Sequence, residues 1–178
     1  TEDAAGNSGA VTLHLGDATS VTEVQLDLDL NDMDLTVSGA SSVTSYVLAG
    51  DATATSDVIT LGSSGTLAIS NEAVLGGTNA VNLVTPDVTN LTVKQGNASA
   101  QTYFTITAAK ATDITIGGSD ADSAGTQYSG AITATTVDAG EATTLTIDAN
   151  QGTRTINTLT AAKLTTLNIS GDNAVSVG

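Results

Sequence analysis

Nineteen Asp and Glu stand against four Lys and Arg in 178 residues, a formal net charge of −15, so the first chemistry to look for is that of clustered carboxylates. Carboxylates and backbone carbonyls are the ligands that Ca²⁺ takes from proteins. Three groups of residues qualify. Gly118, Asp120 and Asp122 lie in the polar run 117–130. Asp27 and Asp29 belong to Leu26-Asp-Leu-Asp-Leu-Asn-Asp-Met-Asp-Leu35, where alternation sends Asp27, Asp29 and Asn31 to one face. Asp51 and Asp172 follow glycine in a recurring turn phrase, Gly16-Asp17-Ala-Thr19, Gly50-Asp51-Ala-Thr53 and Gly171-Asp172-Asn173. Each group also has a plainer reading. Glycine accepts positive φ and Asp bonds its own backbone two residues on, which is ordinary turn chemistry. Carboxylates two apart on a strand, roughly 7 Å, are screened by salt well enough to form a solvated acidic face.

Other chemistry is scarce. Without cysteine there is neither a thiol nor a disulfide. The single histidine, His14, falls on the polar side of Val11-Leu13-Leu15, and Arg154 is the one arginine, so no nucleophile, base and orienting acid can be assembled. Paired carboxylates could cleave a glycosidic bond, but Tyr46, Tyr103, Tyr128 and Phe104 are too few and too scattered to build a sugar platform. The expectation is that the chain is not an enzyme. Phosphate backbones are bound by clustered Lys and Arg, which argues against nucleic acid and for divalent cations as partners. No apolar run has the length of a membrane span. The start, Thr1-Glu-Asp-Ala-Ala-Gly, lacks the basic and apolar regions of a signal peptide, and the chain reads as a segment of something longer.

The elements that must position these residues follow from a repeat. The phrase Leu164-Thr-Thr-Leu-Asn-Ile169 recurs as Val21-Thr-Glu-Val-Gln-Leu26, Val43-Thr-Ser-Tyr-Val-Leu48, Val88-Thr-Asn-Leu-Thr-Val93, Ala111-Thr-Asp-Ile-Thr-Ile116 and Ala142-Thr-Thr-Leu-Thr-Ile147, with a degenerate copy at Ser64-Gly-Thr-Leu-Ala-Ile69. Aligned on the fourth position, Val24, Tyr46, Leu67, Leu91, Ile114, Leu145 and Leu167 stand about 22 apart, the spacing of a solenoid coil. The exception is the 31 from Ile114 to Leu145, which places a loop insertion at 117–130. Apolar positions alternate at period two and are rich in Val, Ile, Leu and Thr, which argues strand.

A second alternating run lies half a period before each phrase, so every coil offers at least two strands. The expected architecture is all-β, a parallel right-handed β-helix with coils of about 22 residues, forming one elongated unit over 1–178. Stacking would align Leu91, Ile114, Leu145 and Leu167, and likewise Val93, Ile116, Ile147 and Ile169, in inner columns. Thr89, Thr112, Thr143 and Thr165 would form a third inner column needing hydroxyl partners, and Asn90, Asp113, Thr144 and Thr166 an outer one. An antiparallel β-sandwich is the alternative.

The Thr-Leu-Thr-Ile phrases, the run Ala161-Ala-Lys-Leu-Thr-Thr-Leu-Asn-Ile-Ser-Gly-Asp172, the low pI and the absent cysteine resemble bacterial surface-layer proteins of the RTX-associated, type I-secreted kind. The start of the 117–130 loop is similar to their glycine-aspartate nonapeptide: Gly117, Gly118 and Asp122 match it, Asp120 replaces the third glycine and Ala124 is a weak apolar position. The resemblance implies a secreted, extracellular protein that tiles the cell surface as a Ca²⁺-dependent lattice by self-association. Anchoring to surface polysaccharide would be supplied by regions outside this segment. Perfect tandem nonapeptides are missing, so the expectation is a β-helix and not a calcium-loaded β-roll. The alternatives are a stalk or binding segment of a large calcium-dependent adhesin and, more remotely, an ice-binding array built on Thr133-Ala-Thr135 and Thr153-Arg-Thr155.

Overall fold

The computed structural model describes residues 9–16, 18–27, 33–49, 57–72, 80–121 and 124–178. Every strand in it is short, as the spacing of Gly, Asn and Asp between the apolar runs requires. In chain order they are β1 (Gly9–His14), β2 (Glu23–Asp27), β3 (Met33–Ser38), β4 (Ser45–Ala49), β5 (Val58–Leu61), β6 (Gly65–Asn71), β7 (Val81–Val84) and β8 (Val88–Gln95). They continue with β9 (Gln101–Thr107), β10 (Asp113–Ser119), β11 (Ile132–Asp138), β12 (Thr144–Asp148), β13 (Arg154–Thr160), β14 (Thr166–Ser170) and β15 (Val175–Val177).

Odd-numbered strands form one sheet in the order β1-β3-β5-β7-β9-β11-β13-β15, and even-numbered strands form the other in the order β14-β12-β10-β8-β6-β4-β2. All strand pairs are parallel. Consecutive strands therefore alternate between two sheets and each pairs with the strand one coil away, which is a β-solenoid and not a sandwich. The one antiparallel bridge among the described residues, Ala121 to Gln127, lies in the insertion.

Alternation puts one face of each strand inside, where parallel stacking sets like on like. Leu67, Leu91, Ile114, Leu145 and Leu167 lie in register, and beside them Ile69, Val93, Ile116, Ile147 and Ile169. From Leu67 to Leu145 and from Ile69 to Ile147 these side chains are at most 2% exposed. Burying each contributes roughly 1.5–3 kcal/mol, so the core is a sum of many small aliphatic contacts.

Two expectations about the columns are corrected. Tyr46 stacks on Ile69, two residues past Leu67. β6 starts early, at Gly65, where the phrase is degenerate, and a shift of two residues keeps every side chain on its own face. The column Thr89, Thr112, Thr143 and Thr165 is exposed, not internal. Thr112, Thr143 and Thr165 sit one place before their strands and Thr89 is the second residue of β8, where the corner has not yet settled into the alternation. Their hydroxyls do find carbonyls: Thr112 Oγ1 donates to Thr89 O at 3.3 Å, Thr143 to Thr112 at 3.3 Å and Thr165 to Thr143 at 3.2 Å.

The corners leading into Thr44, Thr112, Thr143 and Thr165 are β-turns opened by an alanine. Val43, Ala111, Ala142 and Leu164 each donate a backbone N–H to the carbonyl three residues back, of Ala40, Ala108, Ala139 and Ala161, at 2.9–3.1 Å. Ala40, Ala108 and Ala139 are buried, and a larger side chain would have to displace the neighbouring core.

From β9 onward the odd-numbered sheet gains a step. Tyr103 and Ile106 both face inward, with Phe104 and Thr105 outward between them; β7 has no counterpart for Phe104, since Val81 pairs with Tyr103 and Asn82 with Thr105. The step is inherited at Thr135-Thr136 and Asn157-Thr158. Phe104 is left 52% exposed. Thr102, Thr133 and Thr155 align on the outer face, while Thr153 precedes β13, so the Thr-x-Thr pairs do not superimpose.

Candidate functional site

The second corner, between the even-numbered and odd-numbered sheets, carries the polar chemistry of the molecule. Polar side chains buried here include Asn71 at the end of β6, Gln95 at the end of β8, Gln101 at the start of β9 and Arg154 at the start of β13, each at most 1% exposed. Asn71 and Gln95 continue the column that begins with Leu26 and Leu48. Gln101 and Arg154 flank Ile132 in register.

Buried polar groups persist only when hydrogen-bonded, and these find partners within the corner. Asn71 Nδ2 donates to Tyr103 Oη at 3.0 Å. Gln95 Nε2 donates to the Ser99 carbonyl, and Gln101 Nε2 donates to Asn97 Oδ1 at 3.0 Å. Burial raises the Tyr103 hydroxyl well above the ordinary phenol range, an effect the Asn71 contact partly opposes. Tyr46, whose hydroxyl donates to Gly62 O at 2.9 Å, is pushed up to about 12 by burial.

Arg154 is the centre of this corner. Its Nε donates to Asp148 O at 2.9 Å, Nη1 to Gly130 O at 2.9 Å and to Thr153 O at 3.1 Å, and Nη2 to Gly118 O at 3.5 Å. Gly118 and Gly130 bracket the insertion, so one guanidinium ties its departure to its return. Burial lowers the Arg154 pKa and the Asp148 carboxylate raises it; a guanidinium stays charged under both influences. Glycine is required beside it. Gly117 has φ +128°, and a Cβ there would overlap the Asp148 carbonyl.

Beyond the neck, the insertion folds into a small hairpin, with Tyr128 N–H donating to Asp120 O at 3.1 Å. It is fastened to both neighbouring coils. Lys94 Nζ pairs with Asp120 Oδ1 at 2.5 Å and the Ser70 hydroxyl donates to Asp120 Oδ2, while Gln151 Nε2 donates to Gln127 Oε1 at 2.7 Å.

Compared with protein-family models, with curated proteins and with solved structures, the chain matches none of them.

The carboxylates and carbonyls singled out in the sequence are dispersed by the fold. Asp27 ends β2, Asp120 opens the hairpin and Asp172 follows β14, coils apart from one another. Asp29, Asp51 and Asp122 lie outside the described residues. Of the loop set, Gly118 offers its carbonyl to Arg154, and Asp120 has one oxygen on Lys94 and the other on Ser70. A Ca²⁺ ion on those two groups would have to displace the chain's own cations, so in this arrangement they do not fit it. Among the described residues no three His, Asp or Glu side chains converge as a metal site would need. His14 is exposed at the end of β1, its Nδ1 2.6 Å from Ser38 Oγ.

Composition and repeat spacing do not by themselves single out Arg154, Gln95 and Gln101 as architecture. The signal was present: Arg154-x-Ile156, Val93-x-Gln95 and Gln101-x-Tyr103 each set a polar residue in phase with an apolar one on the inner face.

Proposed function

We propose that this solenoid is a structural segment of a bacterial surface layer, self-assembling outside the cell into a Ca²⁺-dependent lattice. The reading is of a wall and not of a catalyst. What supports it most is where the charges go. The four cationic side chains all find partners within the chain: Lys94 on Asp120, Lys110 on Asp87 and Lys163 on Glu141, each at 2.5 Å, and Arg154 on backbone carbonyls. The carboxylates of Glu23, Asp27, Asp138 and Asp172 stay exposed and form no ion pair among the described residues. A surface of net charge −15 repels its own copies. Close packing of such walls needs counter-ions shared between molecules, and exposed carboxylates are the ligands Ca²⁺ prefers. The cations in this reading bridge copies and do not sit in the corners of one coil.

Parallel β-coils suit the task, because backbone groups between coils are paired and each coil is stabilised by its neighbours. Among the described residues no helix is long and apolar enough to cross a membrane. Attachment to cell-surface polysaccharide falls to regions outside this segment. The adhesin-stalk reading is favoured by one feature, the insertion closed by the Ala121–Gln127 bridge and the Tyr128 N–H on Asp120 O, which interrupts the regular coil spacing.

The test is assembly of the purified chain as Ca²⁺ is raised, followed by sedimentation velocity and negative-stain electron microscopy. Ordered sheets that dissolve on chelation, and that need more Ca²⁺ in an Asp27→Asn, Asp172→Asn variant, are expected. A chain that stays monomeric at millimolar Ca²⁺ and instead binds a glycan or host surface through the hairpin overturns the reading in favour of the stalk.

A further inference from the structure

Three buried oxygens at the neck of the hairpin, Gln95 Oε1, Gln101 Oε1 and Ser119 Oγ, have no hydrogen-bond partner among the described residues. Gln95 is 0% and Gln101 1% exposed. In each amide the partner decides which end is which. Gln95 Nε2 faces the Ser99 carbonyl, and Gln101 Nε2 faces both that carbonyl, at 3.4 Å, and Asn97 Oδ1. Asn97 Oδ1 is the oxygen of its own amide because it accepts the Ser99 N–H at 2.8 Å. Turning either glutamine over would set oxygen against oxygen, so both Oε1 atoms are left as bare acceptors.

The three groups belong together in space. Both glutamine amides meet on the single carbonyl of Ser99. Ser119 is the residue stacked on Gln95 in the next coil. Gly130 closes the same neck, since a Cβ on it would strike the Gln95 amide and the Ser99 carbonyl.

We propose that one structural water molecule is bound here, donating its two protons to Gln95 Oε1 and Gln101 Oε1 and accepting the proton of the Ser119 hydroxyl. Two acceptors and one donor match the capacity of water, and three hydrogen bonds to otherwise unsatisfied groups is the usual number for a buried one. A metal ion is the poorer occupant. All three oxygens are neutral, and the Arg154 guanidinium on Gly130 O already brings a positive charge to the wall. The water joins the coil of Gln95 to that of Ser119 and to the start of β9, so the hairpin's neck is held by Arg154 on one side and by the water on the other.

The experiment uses the whole chain. Magnetic relaxation dispersion of solvent ¹⁷O counts long-lived internal waters, and a crystal structure that resolves ordered solvent locates them. The wild type is expected to show density within hydrogen-bond distance of all three oxygens. The dispersion amplitude is expected to fall by one water in the Gln95→Met, Gln101→Met variant, whose parallel-sheet circular dichroism checks that it folds. Should that variant not fold, Ser119→Ala, which removes one partner only, is expected to shorten the water's residence time several-fold. Wild-type crystals with no density there, or with an anomalous scatterer in its place, overturn the proposal, as does a dispersion amplitude unchanged in the folded double variant.

Discussion

The guanidinium of Arg154 lies 2.9 Å from the carbonyl of Gly130, 24 residues earlier in the chain. With its contacts to Gly118 and Asp148 this makes one side chain the closure of the longest excursion among the described residues. Replacement by methionine would keep most of the volume and leave those carbonyls buried without a donor. Each unsatisfied group costs about 1–3 kcal/mol, offset in part by not burying a charge, so Arg154→Met is expected to lose about 2–4 kcal/mol. Urea denaturation measures the loss, and limited proteolysis within 119–129 should become faster in step with it. A variant as stable and as protease-resistant as the wild type would remove Arg154 from that role.

Leu145 and Leu167 are neighbours in one inner column but differ in cover, 1% exposed against 46%. Leu145→Ala is therefore expected to cost about 2–5 kcal/mol and Leu167→Ala under about 1.5 kcal/mol. Equal losses in denaturant melts would mean that the column is not continuous.

Gly117 and Gly140 make a matched pair for the corners. An added Cβ at Gly117 would overlap Asp148 O and meet φ +128°, whereas at Gly140 nothing lies within 4 Å. Gly117→Ala is expected to destabilise by at least about 2 kcal/mol. Gly140→Ala should be neutral or stabilise by up to about 1 kcal/mol, through the entropy of the unfolded chain. Thermal melting of the two variants side by side decides it.

High pH should unfold the rod through its buried tyrosines. The Tyr46 hydroxyl is raised from 10 to about 12 and Tyr103 is raised as well, so folding favours the protonated phenols. For an acid raised on folding, the stabilisation is complete below the unfolded value and is lost as pH climbs through the folded one. The melting temperature is expected to fall between pH 10 and about 12. In Tyr46→Phe with Tyr103→Phe that fall should be shallower. Phenolate absorbance from these two residues should rise together with the loss of the β signal in circular dichroism; its appearance in a chain still folded would contradict the burial.

Exposed ion pairs should matter little. Lys110 and Asp87 are 65% and 56% exposed, so Lys110→Ala is expected to change stability by no more than about 1 kcal/mol. A larger drop in denaturant titration would mean that the corner charges act as a network.

Much of the fold was legible in the residues alone. Period-two alternation assigns faces, and a 22-residue spacing with like residues at like positions leaves stacking as the way to bury them. Leu91, Ile114, Leu145 and Leu167 could be placed in one column because both the strand period and the coil period are local properties of the chain. The surplus between Ile114 and Leu145 located the insertion by the same arithmetic.

What tertiary structure alone decided lies at the corners and at the steps in register, where neither period applies. It moved the Thr89 to Thr165 column to the surface, shifted Tyr46 onto Ile69, and added the outward step at Phe104. It also chose the partners of the polar residues. Asp120 looked like a cation ligand while its neighbours in sequence were all one could see, and it became the partner of Lys94 and Ser70, 26 and 50 residues away. Arg154 looked solitary for the same reason. Its partners are backbone carbonyls, which every residue carries and which no spacing of side chains can reveal.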